Sequence, residues 1–198
     1  MEIVRKIKEL WLLPKKAKAL KSAEDMWYWI ATRTYSRNKV ITKKMYFEEN
    51  GIKEVPKCEC YLCEYVEECF GSENFVLHGC ERVCPVKEWV PKETKESLIK
   101  QGKYGGERCS DAGSVFENWE SLRYSVRLLE RIGEGERRDY VELASAALEV
   151  CILIHKEHEK VWKNAFAVEV AKLAIMLVAL WAVSFSTGYF LIPFVLGW

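Results

Sequence analysis

The chain has 198 residues, enough for one or two domains, and 49% of them are apolar, enough for a packed core. A formal net charge of +1 rules out a strong field acting over the whole chain. The charge is nevertheless unevenly placed: residues 1–57 carry 14 Lys/Arg against 7 Asp/Glu, residues 58–113 carry 7 against 11, and residues 114–163 carry 8 against 10. The last 35 residues hold only Glu169 and Lys172. Glutamate and lysine are abundant while Gln101 is the only glutamine, a hyperthermophile-like bias. The first apolar run, Leu10 to Leu13, is too short for a secretory signal and is followed by Pro14 and lysines.

In chain order, residues 2–13 place Ile3, Ile7, Leu10 and Trp11 at helical spacing among charged residues. This predicts a short amphipathic helix closed by Pro14. Its stripe is expected to pack on the domain core; the other reading is a surface helix on an anionic membrane or nucleic acid. Ser22, Glu24 and Asp25 read as a second helix start, followed by the apolar Met26, Trp27, Trp29 and Ile30. Arg33, Arg37, Lys39, Lys43 and Lys44 then interleave with Tyr35, Tyr46 and Phe47. Such mixing suits single-stranded nucleic acid, but no recognition signature accompanies it, so a solvated face with core aromatics is preferred. Asn50-Gly51 marks a turn.

Seven of the eight cysteines then fall between residues 58 and 109. With little periodicity, this stretch reads as turns and short elements around a metal, with one short helix near Glu93 to Lys100. Residues 114–132 form a strong helix, opened by a capping box at Ser114 and Glu117. Gly133-Glu134-Gly135 breaks it, and a second helix from Glu136 to about Trp162 completes a hairpin. The twenty residues from Leu173 to Ile192 contain no charge, and at the helical rise they span about 30 Å, the thickness of a bilayer core. A transmembrane helix is expected from about Lys172 to Ile192, ended near Pro193. Tyr189, Phe190, Phe194 and Trp198 would form an aromatic belt there. Lys156, Lys160, Lys163 and Lys172 flank the near side, which puts the bulk of the chain in the cytoplasm and the C-terminus outside. The competing reading is a helix buried in a core or an oligomer interface.

Thiolates hold zinc tetrahedrally at about 2.3 Å, and a pair two residues apart can grip one ion from a tight turn. Cys60 and Cys63 are such a pair. Cys80, Cys84 and Cys109 are candidates to close the site, with Cys60, Cys63, Cys84 and Cys109 the preferred set and Cys80 in reserve. A closed four-thiolate site is structural rather than catalytic. The alternatives are an iron–sulfur cluster and disulfides, which intracellular hyperthermophile proteins do use. Cys58 and Cys69 are spare and could pair; His78 is a substitute ligand. Cys151, His155 and His158 lie near one face of the second hairpin helix. No partner for them is identifiable, so Cys151 is expected to pack and the histidines to lie on the surface.

The stretch Cys60-Tyr-Leu-Cys63, Cys80-Glu-Arg-Val-Cys84-Pro85 and Cys109 before Ser114-Val-Phe-Glu-Asn-Trp119 resembles a small cysteine-rich module of tailed phages and proviruses. The resemblance covers about residues 58–162 and departs at Cys80–Cys84, which has one residue too many between its cysteines. It implies a zinc module and a viral or mobile-element origin, but no activity. There is no glycine-rich phosphate loop, HExxH or GxSxG, so no catalysis is expected.

The expected architecture is mainly α: a basic helical region (1–57), a cysteine-rich metal-stapled module (58–113), a helical hairpin (114–163) and a transmembrane anchor (164–198). The expected function is a membrane-anchored zinc-binding adaptor or structural protein with a protein partner or a homo-oligomeric state. The alternatives are a zinc protein binding nucleic acid through the basic N-terminal region, and an iron–sulfur redox subunit of a membrane complex.

Overall fold

The computed structural model describes residues 2–56, 60–71, 84–106 and 108–186. Six helices account for most of them: α1 (Glu2–Arg37), α2 (Lys43–Glu49), α3 (Tyr61–Phe70), α4 (Lys92–Lys100), α5 (Val115–Ile132) and α6 (Arg137–Ser186). No strand is present among the described residues.

The long pair α1 and α6 forms the frame. On α1, Ala17, Leu20, Ala23, Trp27, Ile30, Ala31 and Thr34 are buried, a stripe at three- and four-residue spacing. On α6, Leu143, Ala147, Val150, Cys151, Ile154, Val161 and Ala165 answer it. The two helices run antiparallel: Glu24 lies against Cys151, and the Trp11 ring lies 5.1 Å from the Lys172 ammonium. Small residues in both stripes let the backbones approach closely.

This pairing overrides two local expectations. The N-terminal region is one helix rather than two, and Pro14 sits inside it. An internal proline costs about 3 kcal/mol, and here the apolar stripe that follows on α1 offsets it. Ser22 is therefore a mid-helix residue, not a cap. Of the stripe over residues 2–13, Ile7, Leu10 and Trp11 are also not core, each being about half exposed. Likewise the second hairpin helix does not stop near Trp162 but runs unbroken to Ser186.

The hairpin itself forms as expected. Ser114 caps α5 by accepting from the Glu117 amide at 2.9 Å. Gly133 ends it at φ 75°, a left-handed conformation that costs an L side chain about 1–2 kcal/mol. Trp119 is buried on α5 and meets Trp27 of α1 edge-on, with ring centroids 4.7 Å apart. Short ties fix the remaining elements. Arg37 grips both carboxylate oxygens of Glu49 at 2.6 and 2.9 Å, joining α1 to α2. The Val40 amide donates to Glu130 Oε1 at 3.1 Å, joining that turn to α5.

Beyond Ala165, α6 buries none of its described side chains, although Lys172 still lies against Trp11 of α1. Phe166, Val170, Leu173, Ile175, Met176, Leu177 and Val178 are all about half or more exposed. This helix is long and apolar enough to cross a membrane, and none of its most apolar stretch is buried. Tyr189, Phe190, Pro193, Phe194 and Trp198 lie outside the described residues, as do Cys58, His78 and Cys80.

Candidate metal centres

Cys60, Cys63, Cys84 and Cys109 line one cavity of about 190 Å³, with Trp27, Lys43, Leu62, Val66, Trp89 and Phe116 as its other walls. Three separate pieces of chain deliver the sulfurs. Cys60 is the N-cap of α3 and Cys63 lies in its first turn. The cysteine pair is therefore set by a helix rather than by the loop that the sequence suggests. Leu62, Tyr65 and Val66 bury the inner face of α3, which the dense cysteines and glutamates obscure in the sequence. Cys84 is buried at the start of the segment that brings Val86 and Trp89 into the core. The Trp89 carbonyl accepts from the Val115 amide at 3.0 Å, which pins this segment to the start of α5. Cys109 precedes the α5 cap, and the Ser114 hydroxyl donates to its carbonyl. Cys69, at the far end of α3, is not among the lining residues. No disulfide joins the described cysteines to one another.

The surroundings favour thiolate. Cys60 is lowered from 9.0 to about 6, chiefly by hydrogen bonding with Cys63, against the opposing cost of burial. The Lys43 ammonium and the backbone N–H groups of Cys63 and Leu62 add to the lowering. Neither amide forms a bond of true cap geometry, yet both direct positive charge at the sulfur. Lys43 is held over the Phe116 ring at 4.6 Å and the Trp27 ring at 5.7 Å, so a fixed cation stands at the cavity wall. Soft donors, a poised thiolate, a neighbouring cation and apolar aromatic walls suit a thiolate-bound metal ion.

Immediately after metal is withdrawn, while the module still holds this geometry, iodoacetamide at neutral pH is therefore expected to label Cys60 far faster than Cys151. The Cys151 thiol is pushed up to about 11 by burial, then by the charges of Glu24 and Asp25. Because the Cys60 value is lowered, its stabilising contribution is full above the ordinary thiol value. That contribution falls as pH drops and is gone below about 6. Thiolate absorbance followed against pH checks this, and equal labelling rates would reject it.

Gly113 closes the turn that follows Cys109, at φ +80°. A Cβ there would come within 2.8 Å of side-chain carbons of Leu98 and Thr94 on α4. Gly113→Ala is expected to cost about 1–2 kcal/mol from backbone strain alone. It should also loosen the Cys109 arm, so a metal ion held by the four cysteines would pass to a chelator faster than from the parent chain.

A second cluster was not anticipated. Glu24, His155 and His158 bring three ligand atoms within 4.8 Å of one another, an arrangement that could hold a metal ion. His155 and His158 had been expected on the surface. Only His155 is open, at 50% side-chain exposure, while His158 retains 14% and Glu24 17%. The missing partner was Glu24, 131 residues earlier in the chain. The histidine spacing was readable, but the carboxylate was hidden because residue 24 read as an acidic first turn. Cys151 is buried as expected, and its thiol donates to the Glu24 carbonyl at 3.6 Å.

No protein family, curated protein or solved structure matches the chain.

Proposed function

We propose that this is a membrane-anchored, zinc-stapled adaptor or structural protein without catalysis of its own. One observation carries the reading: four cysteines from three chain segments line one cavity, on the bundle whose longest helix continues as an exposed apolar rod. Cys60, Cys63, Cys84 and Cys109 would hold the ion, and Cys80 remains a reserve ligand. Zinc would supply folding free energy to a segment too rich in turns to obtain it from burial. Lys43 would offset part of the negative charge of a four-thiolate complex.

The apolar part of α6 would enter the bilayer beyond Lys172. Lys156, Lys160, Lys163 and Lys172 precede it, which favours a cytoplasmic bundle. A protein partner or a second copy would be engaged by that bundle, and the cysteine-module resemblance suggests a viral or mobile-element setting.

The nucleic-acid reading has less support. Lys21, Arg37 and Lys44 of the basic region are each engaged by a carboxylate, from Asp25, Glu49 and Glu48. Elemental analysis of the purified full chain tests the proposal. At least one equivalent of zinc is expected, and one equivalent fewer when Cys60 and Cys63 are both changed to serine. Iron with visible absorbance would favour the redox reading, and no metal would reject both.

A further inference from the structure

We propose that Glu24, His155 and His158 form a second metal site, for a borderline transition ion of the zinc, cobalt or nickel class. The site would clamp α1 to α6 a few turns before the exposed apolar part of α6. It goes beyond the cysteine site and does not require that site to be loaded.

The geometry is convergent. One carboxylate faces two imidazoles through the same ring atom. Glu24 Oε1 is 3.1 Å from His155 Nδ1, and Oε2 is 2.9 Å from His158 Nδ1. His155 and His158 are three residues apart on one helix, so both rings reach the same side. Each element of the cluster is also held in place. The Cys151 thiol donates to the Glu24 carbonyl, fixing the α1 backbone there. Trp162 packs edge-on to the His158 ring, with centroids 6.0 Å apart. His158 Nε2 is buried without a hydrogen-bond partner among the described residues, so its ring engages polar groups only through Nδ1.

Two imidazole nitrogens and one carboxylate oxygen match a borderline ion. A calcium or magnesium site would be built from oxygens alone. Three protein ligands leave further positions to solvent, and half-exposed His155 provides the way in. Metal binding needs a bare Nδ1 on each ring, so a proton held at Nδ1 against Glu24 would move to Nε2 by exchange with solvent, leaving each imidazole neutral and converting a hydrogen-bonded contact into a coordinate clamp. Val161 and Ala165, the last buried residues of α6 among those described, lie just beyond. The ion would thus fix the register of the two helices at the membrane-proximal end of the bundle.

The test uses the full chain in detergent, stripped with chelator and reloaded with zinc or cobalt alone. Two equivalents of zinc are expected in the parent, and one in Glu24→Gln or in His155→Gln. His155→Gln changes a half-exposed side chain, and Glu24→Gln keeps the shape of the carboxylate, so loss of fold does not obscure the count. The thiolate-to-cobalt absorption should be unchanged in both variants and vanish in Cys60→Ser/Cys63→Ser. One equivalent in the parent that disappears in Glu24→Gln, with no thiolate band, would uphold this site and dismiss the cysteine site. Equal zinc content in the parent and both variants would overturn the inference.

Discussion

Chelating zinc from the full chain is expected to unfold the cysteine module while leaving the α1–α5–α6 bundle helical. A structural zinc site contributes an apparent 10–16 kcal/mol, roughly, at neutral pH. That is comparable to the whole net stability of a domain, about 5–15 kcal/mol. The module has little else to hold it. Among its described residues the buried apolar side chains are Leu62, Tyr65, Val66, Pro85, Val86, Trp89 and Val90, with Cys84 beside them, while α4 buries none. The bundle, by contrast, fully buries Leu20, Ile30, Leu143, Val150 and Ile154, none of which lines the cysteine cavity. Hydrogen exchange should therefore rise steeply over residues 60–71 and 84–113 and little over the buried turns of α1 and α6. Cys109→Ser should reproduce this pattern without chelator. Unchanged protection after complete zinc removal would count against the staple.

The second large effect concerns the anchor. Val178→Arg combined with Ala182→Arg is expected to release the chain from membranes. Each arginine near the middle of a span costs about 2.5–3.5 kcal/mol, so the pair costs about 5–7 kcal/mol. Neither position is buried in the bundle, so the fold should tolerate both changes. The parent chain should remain in the membrane pellet after an alkaline wash, and the variant should not. A parent chain that stays in solution as a defined oligomer without detergent would show that another protein surface covers the apolar rod instead.

Features with a local cause were legible in the sequence. The Ser114 cap, the Asn50-Gly51 turn, the short helix before Gln101 and the long uncharged run each follow from neighbouring residues. What failed depended on residues far apart in the chain. Pro14 read as a helix end because its cost is local, whereas the burial that offsets it comes from α6, more than a hundred residues away. The histidines read as surface because Glu24 lies on the other long helix. The α3 helix was missed because cysteines and glutamates break up an apolar face of only three buried residues. That four cysteines face one cavity could be guessed from number and spacing, but Lys43 at its wall could not. A lysine acquires that role only once Trp27 and Phe116 hold it there.

Zinc-edge X-ray absorption on the Glu24→Gln chain tests thiolate coordination most directly. That variant should carry zinc at the cysteines alone. A single shell of four sulfurs at about 2.3 Å is the predicted result. A shell of nitrogen and oxygen, or a chain that retains no zinc, would contradict it.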